Sequence, residues 1–306
     1  MRCLCVSVFL VSFCFNGVAF DPAGQDDSQA LVRHFEPRPN PLGSPIQEGS
    51  FEPEKGETLS LMGGAEVFQM QDSGAFEVAL HRAFPDKQLK LRNLGWPGDT
   101  VFRQQRPMYF YTKEGDTQKD SIPDIREKVV PGMFLLNFGK MESLDGIEAL
   151  DSFVKSYASL LAGLSGVSRR IVLIQPSSFA SEGPAAALAG ERNDTLELYR
   201  EAITELGAKN EVPVFQSFDV LVPQRIATSD GESLRAAVLQ KNHLWDQYYR
   251  PTNWAFLFGD RQHVPSSRDH RDANRRWFVE EVEKLPPLIE KAEIVIWNLA
   301  SGGNHE

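Results

Sequence analysis

Four short apolar runs, each cut off by glycine or proline and followed by helix-patterned chain, constrain this sequence more than any other feature. Residues 58–62 end at Gly63-Gly64, 89–94 at Gly95, 133–138 at Gly139 and 170–175 at Pro176. Apolar runs of this length, bounded by turn residues, read as buried strands. Between them, 65–84 predicts a helix, with Phe76, Leu80 and Phe84 recurring at helical spacing before Pro85 stops it. Residues 144–164 predict an amphipathic helix with Ser143 as its N-cap. Asn193 reads as the cap of a helix through Leu206, 212–218 as a further strand and 234–248 as a helix. The stretch 275–296 is helical, interrupted at Pro286-Pro287. Strands alternating with helices imply βαβ units and a mostly parallel sheet covered on both faces. In such a sheet the pocket lies beyond the carboxyl ends of the strands. The stretches 63–66, 95–100, 137–142, 176–179 and 219–233 are therefore where function is expected.

The first twenty residues have another character. Arg2, an apolar run over 3–15 and small residues at Gly17-Val18-Ala19 read as a signal peptide cleaved near Ala19. The run is shorter than the roughly 20 residues a membrane span needs, and no stable span is expected after cleavage. Cys3, Cys5 and Cys14 all fall here, so the exported chain has no disulfide, thiolate zinc site or cysteine nucleophile. Residues 20–56, rich in Pro, Gly, Asp, Glu and Ser, read as an extended leader. The main domain is expected over 57–265, and a C-terminal helical extension over 266–306. A formal charge of −10 repels phosphate backbones, so nucleic acid is not an expected partner. No cofactor or metal is expected.

Two motifs carry a resemblance. Arg92 to Thr100 reads Arg-Asn-Leu-Gly-Trp-Pro-Gly-Asp-Thr after the second strand, and Lys241 to Asn253 reads Lys-Asn-His-Leu-Trp-Asp-Gln-Tyr-Tyr-Arg-Pro-Thr-Asn. On these the chain resembles the SGNH (GDSL-like) hydrolases, and more closely their exported bacterial relatives, over roughly 57–265. The resemblance implies a three-layer, flavodoxin-like α/β fold: a five-strand parallel sheet with a C-terminal helical extension. It also implies an esterase frame of four blocks. A serine after the first strand attacks the acyl carbon, and an Asp-x-x-His supplies the base. A glycine amide and an asparagine stabilise the oxyanion.

This chain departs from that pattern where the chemistry happens. Gly63-Gly64-Ala65 stands where Gly-Asp-Ser is expected, so position 65 has no hydroxyl. Gly98, followed by Asp99 and Thr100, keeps the second block. In the third, Met141 takes the place of asparagine, with Asn137 and Glu142 nearby. The last block keeps Asp230 but has Ser233 for histidine. No catalytic set can be assigned on this reading. The pocket expectation is Gly63, Gly64, Ala65, Gly98, Asp99, Thr100, Asn137, Met141, Glu142, Asp230 and Ser233. A small acylated or sugar-like ligand is expected there, bound without cleavage.

Two alternatives stand beside this. Asp99, Glu66, Glu142 or Asp230 could act on a bound water in a rearranged hydrolase, or Trp96, Phe102 and Met141 could plug the cleft of a structural protein. Other features read more plainly. Lys140 and Glu142 read as a solvated pair, and His81 as a surface residue. Lys241, Asn242, Arg250 and Asn253 read as a helix and turn locked to the sheet by buried hydrogen bonds. Ser177, Ser178 and Ser181 have no histidine near in sequence. His263, Asp269, His270 and Asp272 fit no metal spacing. Asn193-Asp-Thr195 matches a glycosylation acceptor, which helix capping explains as well.

Overall fold

The computed structural model describes residues 41–47, 49, 51–104, 129–222, 231–257 and 261–302, without the Trp254 side chain. Residues 1–20, with the expected export signal, and Asp230 lie outside the described residues. Five strands form one parallel sheet: β1 (Thr58–Gly63), β2 (Lys90–Asn93), β3 (Met133–Asn137), β4 (Arg170–Ile174) and β5 (Val214–Phe215), in the order β2-β1-β3-β4-β5. That is the flavodoxin-like order, with the chain reversing direction across the sheet between β1 and β3. The α/β fold and five-strand parallel sheet stand as expected.

β1, β3 and β4 are buried along their whole length. A strand covered on both faces needs apolar side chains at every step, which is why these runs do not alternate. Met62, Phe134, Leu136, Ile171 and Leu173 face one way. They pack on α3 (Leu150–Ser165) and α4 (Ala189–Asn210), through Phe153, Tyr157, Tyr199 and Ile203. Leu59, Leu61, Met133, Leu135, Val172 and Ile174 face the other way. They meet α1 (Ala65–Ser73), α2 (Ala75–Ala83) and α5 (Phe218–Leu221) through Val67, Phe76, Leu80 and Leu221.

Several helix boundaries differ from expectation. The helix predicted over 65–84 is two helices, because Gly74 adopts φ 63° and ends the first. The helix predicted from 144 begins at Leu150. Gly146, at φ 83°, breaks the chain into two short 3-10 turns, Glu142–Asp145 and Ile147–Ala149. Ser143 caps nothing; its hydroxyl donates to Lys140 O. Asn193 lies inside α4 rather than at its start, and its amide pairs with both backbone groups of Phe179. β5 keeps two of the seven residues expected in 212–218. The helical stretch over 275–296 is interrupted as expected, but at 283–284: Pro286 and Pro287 sit in the first turn of the second helix, where a missing N–H costs nothing.

The outer edge of β2 is covered by α6 (Gly231–Tyr249), then α7 (Trp254–Leu257), α8 (Trp277–Val282) and α9 (Leu285–Ala300) complete the described helices. Side chains of α6 and α9 take the carbonyls an edge strand leaves open. Trp297 Nε1 donates to Leu89 O at 2.9 Å, Lys241 Nζ to Leu91 O at 3.3 Å and Trp245 Nε1 to Asn93 O at 2.9 Å. Arg92 adds a buried ion pair to Glu293 of α9. The described part of the leader is pinned as well. Ile46 and Phe51 are buried, and Arg170 of β4 holds Glu57 at 2.5 Å and Glu52 O at 2.6 Å.

Candidate functional site

A cavity of about 40 Å³ opens at the carboxyl ends of β1 and β3, where the sheet order reverses. Ligand crevices in open α/β sheets form at this point. Gly64, Ala65 and Glu66 line it from the start of α1, Asp99 from the loop after β2, and Asn137, Phe138, Gly139, Lys140, Met141 and Glu142 from the end of β3. Six of the residues expected in the pocket therefore come together: Gly64, Ala65, Asp99, Asn137, Met141 and Glu142.

Gly63 lies just behind the wall. A Cβ there would stand 2.3 Å from Asn137 O and 2.6 Å from Val67 Cγ2, so the two strand ends approach as closely as they do only through glycine. Gly98 adopts φ 85° and makes the turn that brings Asp99 N to Trp96 O at 3.0 Å. Thr100 is tied to Arg103 beyond the cavity. Ser233 is not at the cavity. It is exposed on the first turn of α6, and two residues on, Arg235 reaches Ser73 O at the far end of α1. The position matched to histidine has been absorbed into a helix that starts earlier than expected.

At position 65 the side chain is a methyl group. Met141, which the sequence resemblance sets against an asparagine, lies with its Cγ 3.9 Å from where a Gly64 Cβ would be. Asn137 does not replace that amide, since its Nδ2 is spent on Ile174 O and Gln175 O, both at 3.2 Å. Among the described residues no histidine lines the cavity. His81, expected at the surface, is buried on α2 beside Glu77 at 3.7 Å. The cavity is not filled by Met141, which lines it, while Trp96 packs edge-on to Tyr249.

Glu142, expected to be solvated, is buried and works as a brace. One carboxylate oxygen accepts Val101 N and the other Gly139 N, both at 2.8 Å, joining the β2 loop to the end of β3. Burial raises its pKa, although these amide donors pull it down. Tyr157, fully buried and without a hydrogen bond among the described residues, is pushed well above its ordinary range by burial and then by the Glu142 charge.

The cavity mouth carries a network that no local sequence pattern announces. Lys140 Nζ donates to Ser177 Oγ at 2.8 Å and Ser178 O at 3.1 Å, and faces Glu66 at 3.9 Å. The Glu66 carboxylate accepts Ser177 N. Three strand-end loops are thus joined. In this arrangement Lys140 is a donor to Ser177 and offers its hydroxyl no acceptor. The Lys241 to Asn253 run is structural: Lys241 pairs with Glu77, Asn242 donates to Gln71 O, and Arg250 holds the loop after β2. Asp269 is held by Arg271 and Arg275, the hydrogen bonds from Arg271 taking its carboxyl down to about 2.

No family model and no curated protein matches the chain. Among solved structures it is similar to Axe2, an acetylxylan esterase from Geobacillus stearothermophilus, at 16% identity and TM-score 0.36, over 68% of this chain and 86% of that one. It is similar to the lipase/acylhydrolase from Enterococcus faecalis at 16% identity and TM-score 0.35, over 60% and 94%. A gut microbial diltiazem-metabolizing enzyme matches at 17% identity and TM-score 0.41, over 55% of this chain; the chain spans only 38% of that protein. These likenesses say nothing of what the cavity does, and the fold rests on the sheet order itself.

Proposed function

We propose that this is an exported, SGNH-hydrolase-like protein that binds a small acyl group at the β1–β3 strand ends and does not cleave it by an acyl-enzyme route. The observation that carries the reading is Ala65. The residue that opens α1 at the cavity wall has no hydroxyl, and among the described residues no imidazole lines the cavity to activate another. Size supports the class of ligand. A cavity of about 40 Å³ has room for about three water-sized centres, which suits an acetyl-sized group and not a bulky one. Charge supports it too. Among the described lining residues, Glu66 and Asp99 stand with the buried Glu142 carboxyl against one cation, Lys140, so a neutral ester or amide is favoured over a free carboxylate.

Two measurements on the purified protein test this. Titration with N-methylacetamide, followed by amide chemical shifts, is expected to move resonances of 64–66 and 98–101. Turnover of p-nitrophenyl acetate and acetylated sugars is expected to stay at the rate without protein. Hydrolysis abolished by a cavity substitution overturns the reading.

One observation favours a second reading, in which carboxylates act on a bound water. Glu142 is an enclosed carboxyl with a raised pKa, beside Asp99 in the same cavity, the environment that tunes a general acid or base. Ester turnover lost in both Glu142→Gln and Asp99→Asn would select it.

A further inference from the structure

We infer that Arg250, which does not line the cavity, is the residue that positions its Gly98–Asp99 wall. The inference rests on the cavity being the ligand site. The loop leaving β2 must turn tightly to place Asp99 beside Gly64, and its course is held at few points. Trp96 N donates to Gly63 O at 3.1 Å, Asp99 N to Trp96 O at 3.0 Å, and Val101 N to Glu142 at 2.8 Å. At the start of the loop, Gly95 runs so close to α1 that a Cβ would stand 2.7 Å from Phe68 N. There Asn93 Nδ2 donates to Val67 O of α1 and its Oδ1 accepts Gly95 N, and the group that holds the loop from a separate element is Arg250, just past the end of α6.

The guanidinium donates to Gly95 O and, at 3.1 Å, to Asn93 O. Its other nitrogen bonds Asp246 Oδ1 at 2.9 Å and Gln71 Oε1 at 3.3 Å. Aromatic rings surround the plane: Tyr249 at 4.7 Å, Phe68 at 5.0 Å and Trp96 at 5.7 Å. One planar group thus gathers α1, the β2 loop and the end of α6. Phe68 and Gln71 belong to the helix that opens with Ala65 and Glu66, and Trp96 leads directly into Gly98 and Asp99. Both walls of the cavity meet at this cation. A lysine could not replace it, because a point charge on a flexible stem offers neither the fork for several acceptors nor a flat face for the rings.

The test compares Arg250→Lys and Trp297→Phe with the wild-type chain. Trp297→Phe removes a hydrogen bond from the opposite end of β2 and serves as the control for general loss of stability. Two readouts are taken on each folded protein: the backbone amide resonances of 98–101, and titration with N-methylacetamide. In Arg250→Lys the 98–101 resonances are expected to move and the affinity to fall about tenfold, the scale on which outer partners of a site act. In Trp297→Phe both are expected to stay at wild-type values. Unmoved resonances with unchanged titration in Arg250→Lys, or equal displacement in Trp297→Phe, overturns the inference. Should Arg250→Lys not fold, Phe68→Leu removes one ring and keeps every hydrogen bond; a displacement of the 98–101 resonances supports the positioning role of Arg250, and none refutes it. If the wild-type chain binds no N-methylacetamide, the proposed ligand reading fails, while the resonances still decide what Arg250 does.

Discussion

Replacing Lys241 with methionine should reverse the way stability responds to pH. Lys241 Nζ lies 2.8 and 2.9 Å from the two oxygens of Glu77, with 1% and 3% of the side chains exposed. Burial alone would raise the Glu77 carboxyl, but Lys241, and His81 after it, pull it below its ordinary value. A carboxyl lowered in the native state adds stability above its unfolded pKa of about 4.3, and loses it as pH falls through the native value. Lys241→Met removes the larger attraction and leaves the burial. The carboxyl then rises above its unfolded value, so the variant loses stability as pH climbs past about 4.3. The gap between the two proteins should be smallest at the acid end and widen to about 3–5 kcal/mol near neutrality, the usual cost of orphaning a buried charge.

The backbone is not the source of this loss. Leu91 O, which Lys241 also bonds, keeps a second donor in Arg92 at 3.2 Å. Methionine fills much of the lysine volume, so the cavity contribution is small. The assay is urea unfolding followed by circular dichroism at several pH values. The variant carrying both Glu77→Gln and Lys241→Met should be more stable near neutrality than Lys241→Met alone, since a neutral pair needs no buried counter-charge. A destabilisation that stays constant from about pH 4 to about pH 7 would refute the electrostatic account.

Other expectations follow from single contacts. Gly63→Ala places a methyl against Asn137 O, a backbone atom of a central strand, and should cost at least the upper end of the roughly 1–3 kcal/mol seen for overpacking. Gly64→Ala meets Asp99 O only at 3.0 Å and should cost less, a ranking that thermal unfolding of the two variants checks. Ala65→Ser places a hydroxyl in the cavity, where no imidazole among the described residues stands beside it, so p-nitrophenyl acetate turnover should remain at background; a burst of nitrophenol would contradict this. Glu142→Gln removes a carboxyl whose pKa the fold raises. The wild-type side chain loses stabilising effect as pH rises above about 4.3, and the variant should lack that slope in urea unfolding. One of the two amides it holds loses its acceptor, at about 1–3 kcal/mol, most visible at acid pH.

The parts of this molecule that were legible in the sequence are those set by one element at a time. β1, β3 and β4 could be read because burial on both faces demands an unbroken apolar run, and glycine or proline marks where each stops. Once the strand ends are known, a parallel sheet places the cavity, which is why Ala65, Asp99, Met141 and Glu142, each just past a strand end, line one space. Half-buried β5 gives a weaker signal, and the apolar pattern over 212–218 overstates its length. Gly74 and Gly146 fall inside continuous helical patterns, although each takes a positive φ and ends an element.

What stayed hidden was pairing between elements. Periodicity put His81 on a helix face but could not show that Lys241, 164 residues from Glu77, would close over the same carboxylate. Glu66, Lys140 and Ser177 are ordinary loop residues until three strand ends bring them within reach of one another. Arg250 joins both limits. The two motifs that carried the resemblance, 92–100 and 241–253, lie far apart in the chain, yet in the fold the second holds the first by its carbonyls. Backbone oxygens have no residue identity, so a contact made to them leaves no partner to recognise in a sequence. The motif nearest the cavity therefore looked like its chemistry, and the motif that keeps it in place looked like scaffold.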